Sequence, residues 1–316
     1  DSTARLASRS VKEAQAQESG VGSRESSAGA QGPLFDLAFD VEFVTLSGIR
    51  RVAARLEGSE RTFAVQLDEE PQRLRFDPGF RVAARTAEFE LPGAMLRRQL
   101  ADDEDVVIRI DAAKALGKKA DREGVTALAA ALRADGFWGV HVQVAKALAD
   151  ARTPAAKAAL LGAMNVSHPK ARRGVMDALG AFREPDVAEA LRDKASAGDE
   201  SYFVEAESFR SLGKTRQSTV YETLLSGLER ESHDDVILAG VFDGLKELRD
   251  DRAVDVALEW MRYGRPPMAR AAAVRALEKL GEKESRVDDA LTDLLDDQRI
   301  ACLLYTSPSP RDRQKS

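Results

Sequence analysis

RIDAAKALG, residues 109–117, returns without a gap as HVQVAKALA (141–149), RRGVMDALG (172–180), EAESFRSLG (205–213), LAGVFDGLK (238–246) and RAAAVRALE (270–278). The eighth position is leucine every time: Leu116, Leu148, Leu179, Leu212, Leu245 and Leu277, successively 32, 31, 33, 33 and 32 residues apart. The seventh is always small: Ala115, Ala147, Ala178, Ser211, Gly244 and Ala276. On a helix the fourth, fifth and eighth positions share one face. The leucine is therefore expected in the core, and its small neighbour lets an adjacent helix approach closely.

A second amphipathic segment follows each window: Val125 to Leu132, Ala156 to Met164, Val187 to Leu191, Val220 to Leu228, Val254 to Met261 and Val287 to Leu295. A single pair of such helices cannot bury its apolar face, whereas stacked pairs can, as a superhelical solenoid. Residues 105–301 are thus read as six helical-hairpin repeats resembling the HEAT type. Asp105, Ser167 and Ser232 are suitable N-caps, and Pro266-Pro267 suits a helix start.

Upstream the apolar period changes to two. Phe35, Leu37, Phe39, Val41 and Phe43 alternate with Asp36, Ala38, Asp40 and Glu42, the pattern of a strand with one buried face. Ser47-Gly48 marks a hairpin turn, and the alternation resumes at Val52 to Leu56, Phe63 to Leu67 and Leu74 to Phe76. Asp77-Pro78-Gly79 signals a turn before a last strand at Phe80 to Phe89. An earlier strand is expected near Ala4 to Ala14, with the Gly- and Ser-rich stretch 17–33 as a flexible loop. The expected fold is multidomain. An antiparallel β-sandwich-like module (1–92) and a connecting helix (93–104) precede the all-α solenoid.

Of the 316 residues, 43% are hydrophobic and 32% charged, a composition for a soluble, globular chain and against a disordered one. A formal charge of −6, with acids and bases interleaved, argues against a nucleic-acid footprint. No apolar run is long enough to span a membrane. The lone cysteine, Cys302, builds neither an internal disulfide nor a metal site. The chain opens on Asp1, not Met, so its N-terminus is expected to be missing and its compartment stays unknown. The last stretch, CLLYTSPSPRDRQKS (302–316), resembles a translated sequencing-library adapter and is expected to be foreign and disordered. The sixth hairpin then lacks a capping helix and is expected to be the loosest.

Reactive constellations are scarce. His141, His168 and His233 begin no H-E-x-x-H, and His168 and His233 read as loop histidines at repeat starts. Gly162-Ala163-Met164-Asn165 is superficially like an aminopeptidase substrate motif but lacks the glutamate. Trp138 either packs between the first two repeats or is an exposed anchor for a partner. Lys170-Ala171-Arg172-Arg173 is either a solvated face or a patch for an acidic partner. No catalytic, cofactor-binding or metal residue is assigned.

The order of the pieces carries a further resemblance. RFDPGFRV (75–82), EFELP (88–92) and GAMLRRQL (93–100) precede DEDVVIRIDAAKALGKKADREGV, DGFWGVHVQVAKAL and SYFVEAESFRSLGKTR. Over residues 3 to 301 this resembles the C-terminal part of bacterial zinc aminopeptidases of the aminopeptidase N-like, gluzincin family. The resemblance implies a non-catalytic wall or lid over the peptide-binding cleft of a catalytic domain missing upstream, which would carry the zinc. It implies that domain and peptide substrates as partners; other proteins on the concave face belong to the scaffold reading below, and charge and hydropathy already argue against nucleic acid and membrane. Two other readings stand beside it: a free-standing HEAT-repeat interaction scaffold, and a catalytically dead relative of the peptidase. Phycobilin lyases carry similar repeats, but no bilin-attachment signal appears and the β-module does not fit.

Overall fold

The computed structural model describes residues 3–5, 36–57, 62–79, 81–82, 90–282 and 284–295. They form a mostly helical solenoid with a small N-terminal antiparallel sheet. Two compact units divide the chain, Asp1–Ala112 and Ala113–Ser316.

In the first unit β1 (Thr3–Arg5) pairs antiparallel with β4 (Ala64–Gln66), and β2 (Asp36–Val44) lies between β3 (Ile49–Glu57) and β5 (Arg73–Phe76). The expected turn at Ser47-Gly48 joins β2 to β3, closed by the Thr45 N–H donating to the Gly48 carbonyl at 2.8 Å. Alternation along β2 is less clean than its sequence. Val41 and Phe43 are buried as expected, but so is Glu42. As the central strand, β2 has neighbours on both sides: Arg51 from β3 and Arg75 from β5 hold the Glu42 carboxylate. The strand expected at 80–89 is not seen at Arg81 and Val82; its remainder, the loop 17–33 and the tail 302–316 lie outside the described residues. What is described is one two-stranded and one three-stranded antiparallel sheet, not a complete sandwich. Helix α1 (Gly93–Asp102) buries Leu96 and Leu100, and its Gln99 side-chain amide donates to the Leu74 carbonyl of β5.

From there the chain is a run of hairpins. The first helices are α2 (Val106–Lys119), α4 (Trp138–Ala151), α6 (Pro169–Leu179), α8 (Tyr202–Lys214), α10 (Val236–Leu248) and α12 (Pro267–Leu280). The second helices are α3 (Arg122–Ala134), α5 (Pro154–Leu161), α7 (Pro185–Ala197), α9 (Tyr221–Ser226), α11 (Ala253–Trp260) and α13 (Ser285–Leu295). All six column leucines are buried. The small-residue column does what its position requires. A Cβ on Gly244 would stand 2.5 Å from the Phe209 carbonyl oxygen, and one on Gly213 would collide with the Gly244 backbone. Helices α8 and α10 therefore meet backbone to backbone.

Helix starts follow the caps, with two shifts. Asp105 accepts from the Val107 N–H at 2.8 Å. Ser232 accepts from the Ile237 N–H at 3.0 Å but stands before a 3-10 turn at His233–Asp235, so Asp235 is the residue that precedes α10. At α6 the cap is His168, not Ser167: Pro169 fixes the first helical position, so the residue directly before it accepts, here from the Lys170 N–H. The segment 220–228 is not one helix. A 3-10 turn precedes α9 and another follows it at Gly227, which is wedged where a Cβ would lie 2.5 Å from Val241 Cγ2.

Candidate functional site

Four of the six windows open on a residue with a shared task. Arg109 donates to the Asp103 carbonyl (2.7 Å), His141 Nε2 lies 2.6 Å from the Asp135 carbonyl, and Arg172 donates to the Ser167 carbonyl (2.7 Å). Arg270 likewise donates to the Met261 carbonyl at 3.0 Å. Each ties a first helix to the loop that precedes it. His141 is thus a loop clamp. His233 is exposed beside Asp234. Gly162 to Asn165 form the turn after α5.

Trp138 is half-buried at the start of α4. It stacks on His168 with centroids 5.7 Å apart, and the Lys170 ammonium lies 4.4 Å over its ring. It therefore covers the joint between the second and third repeats, one joint further on than expected. The Lys170–Arg173 cluster is largely spent on internal partners. Arg172 forms a bidentate pair with Asp199 (2.8 and 3.0 Å), and Arg173 pairs with Glu207 at 3.4 Å. Lys194 and the Ser201 N–H also reach Asp199. Burial works to raise the Asp199 carboxyl, but the hydrogen bonds from Arg172, Lys194 and the Ser201 N–H outweigh it and hold the pKa at about 2. Asp199 belongs to no motif in the sequence; only its place after Gly198, which adopts φ +77, marks it as a turn residue.

Charges continue along the first helices. Glu207 accepts from Arg210 (2.7 Å), Arg210 pairs with Asp243 (2.7 Å), and Lys214 crosses to Asp177 (2.7 Å). Just beyond, where the first helices turn into the second, lies a cleft of about 450 Å³. Its walls are Arg152, Gly180, Ala181, Arg183, Lys214, Arg216 and Glu247. Four cations thus face one carboxylate. The cleft is invisible in the sequence until the windows are aligned: Arg152, Arg183 and Arg216 each follow the end of their window by three residues.

Among the described residues, no group of three or more His, Cys, Asp or Glu could hold a metal. No helix there is long and apolar enough to cross a membrane.

Residues 94–174 and 163–242 match the HEAT-repeat family, and residues 269–297 match the PBS lyase HEAT-like repeat. The helical part of the chain is a HEAT-repeat array. No curated protein matches the sequence. Similar solved structures include human deoxyhypusine hydroxylase in complex with glycerol, at 17% identity and TM-score 0.37, covering 67% of this chain and 93% of that one. Another is the complex of CpcE and CpcF of phycocyanin lyase from a Nostoc species, at 17% identity and TM-score 0.44, covering 74% and 94%. Both superpositions are too loose to carry a function across.

These matches correct the aminopeptidase resemblance. What the sequence matches is HEAT-repeat families, not a gluzincin, a metallopeptidase or another zinc-enzyme family. The reason lies in the quoted words. In DAAKAL and QVAKAL the apolar positions Ala112, Ala113 and Leu116, and their counterparts Val144, Ala145 and Leu148, are all buried. Any closely stacked hairpin array selects such residues, so the similarity reports packing.

Proposed function

We propose that this chain is a HEAT-repeat scaffold that binds other proteins on the exposed surface of its first-helix layer. The observation that supports this most is what those helices do with their charges. Their column leucines are buried in the stack, while the row from Arg173 through Arg210 to Lys246 is ordered by ion pairs at exposed to half-buried positions. An array that contacts only its nearest repeats offers a long, regular surface, the usual use of such folds. In this reading the binding surface belongs to the hairpins from 105 onward, not to the β-module up to residue 92 or the connecting helix 93–104. No cofactor or catalytic residue takes part. Co-purification of the full chain with a partner, followed by crosslinking and mass spectrometry, tests it. Crosslinks should fall on α4 to α10. A chain that retains no stoichiometric partner, or crosslinks only through the β-module, would refute the scaffold.

A further inference from the structure

Aligning the repeats by their leucines brings one more column into view. Three residues after the ends of the second to fifth windows stand Arg152, Arg183, Arg216 and Arg249. All four are exposed at the turns between first and second helices. Among the described residues, none of their guanidinium groups forms an ion pair or hydrogen bond with the protein, whereas nearly every arginine along the first helices is engaged.

Backbone geometry makes these positions unusual. Arg152, Arg216 and Arg249 adopt φ of 50°, 56° and 58°, the left-handed region where a helix C-terminus favours glycine. A cation near a helix C-terminus is favourable on its own, which accounts for one such residue per helix. It does not account for three of them meeting Lys214 around one cleft that holds a single carboxylate, Glu247. Gly180 keeps the cleft open: a Cβ there would lie 2.8 Å from Lys214 Cδ.

We propose that this arginine edge is the docking track for an extended acidic segment of a partner protein. The proposal rests on the scaffold reading and names the partner's chemistry. Adjacent first helices lie roughly 8–10 Å apart, and an extended chain advances about 3.3 Å per residue, so one carboxylate every third residue would meet one arginine per repeat. Charge complementarity selects the acidic partner. A nucleic acid fits less well, because no aromatic ring lines the cleft to stack a base.

The test uses the full chain and a fluorescein-labelled dodecamer of glutamate, followed by anisotropy at low salt, with a dodecamer of thymidylate as comparison. Variant Arg152→Gly/Arg183→Gln/Arg216→Gly removes three cations and gives two left-handed positions the residue they favour, so its Tm should not fall. The peptide should bind the parent and lose at least tenfold in affinity in this variant. Absence of binding to the parent, undiminished binding to the variant, or tighter binding of the thymidylate would overturn the proposal. If the natural partner still crosslinks to α4–α10 in the variant, the scaffold stands and only the acidic partner is lost.

Discussion

Asp199 joins three segments with one carboxylate: Arg172 in α6, Lys194 in α7 and the Ser201 N–H before α8. Its pKa of about 2 lies below the ordinary 3.8, so the folded state favours the charged form. That contribution is complete well above pH 3.8 and is lost as the pH falls toward 2. It amounts to on the order of 2 kcal/mol. Urea unfolding of Asp199→Asn should show a shallower loss of stability between pH 5 and about 2 than the parent; parallel curves would show that Asp199 is not the linked group. Gly213 makes a second demand. With the Gly244 backbone where its Cβ would go, Gly213→Ala must push α8 from α10 and should lower stability by about 1–3 kcal/mol. An unchanged denaturation midpoint would mean the two backbones are not in contact.

At the level of the element, most of the helical layout was legible. The six-fold leucine column placed every first helix, because a fixed spacing of large and small residues has few other packings. Where a helix departs from expectation, a local residue is responsible. In α12 the fifth window position, Val274, is only half-buried, and Ala272 at the third position takes the core place. That rotation is allowed because 271–273 are all alanine, so nothing but size distinguishes their faces. The break at Gly227 was not legible, since it depends on Val241 and Phe209 arriving from other helices. Leu179, fully buried in α6, tests the register: Leu179→Ala should cost about 2–5 kcal/mol in chemical denaturation. A loss under about 0.5 kcal/mol, the range of ordinary surface substitutions, would put the column outside the core.

For the whole molecule, stability in an array is a sum of local and neighbour terms, so it should vary along the chain. Helix α13 buries one side chain, Val287, among its described residues, whereas α10 buries six. Amide hydrogen exchange should therefore be fastest in α13 and slowest in α8 and α10; uniform protection would mean that the repeats unfold as one. The candidate site was the least legible part. Single residues with strong chemical character, such as Trp138 and His141, drew attention in the sequence and are occupied holding loops and joints together. The arginine edge consists of residues unremarkable one at a time, and it exists only because the turns bring them to one side.

The contact between Gly213 and Gly244 also has a mechanical meaning. Where two backbones touch, no side chain is left to yield when the stack is flexed. At α4 and α6, by contrast, a Cβ on Gly174 would stand 3.2 Å from Val142 Cγ2 and 3.3 Å from its Cα, a tight fit but not a collision, which leaves some give. Load applied to the array should then be absorbed on either side of α8–α10, with that joint acting as a fulcrum. A partner laid across it would bend the ends toward itself and leave the middle unmoved.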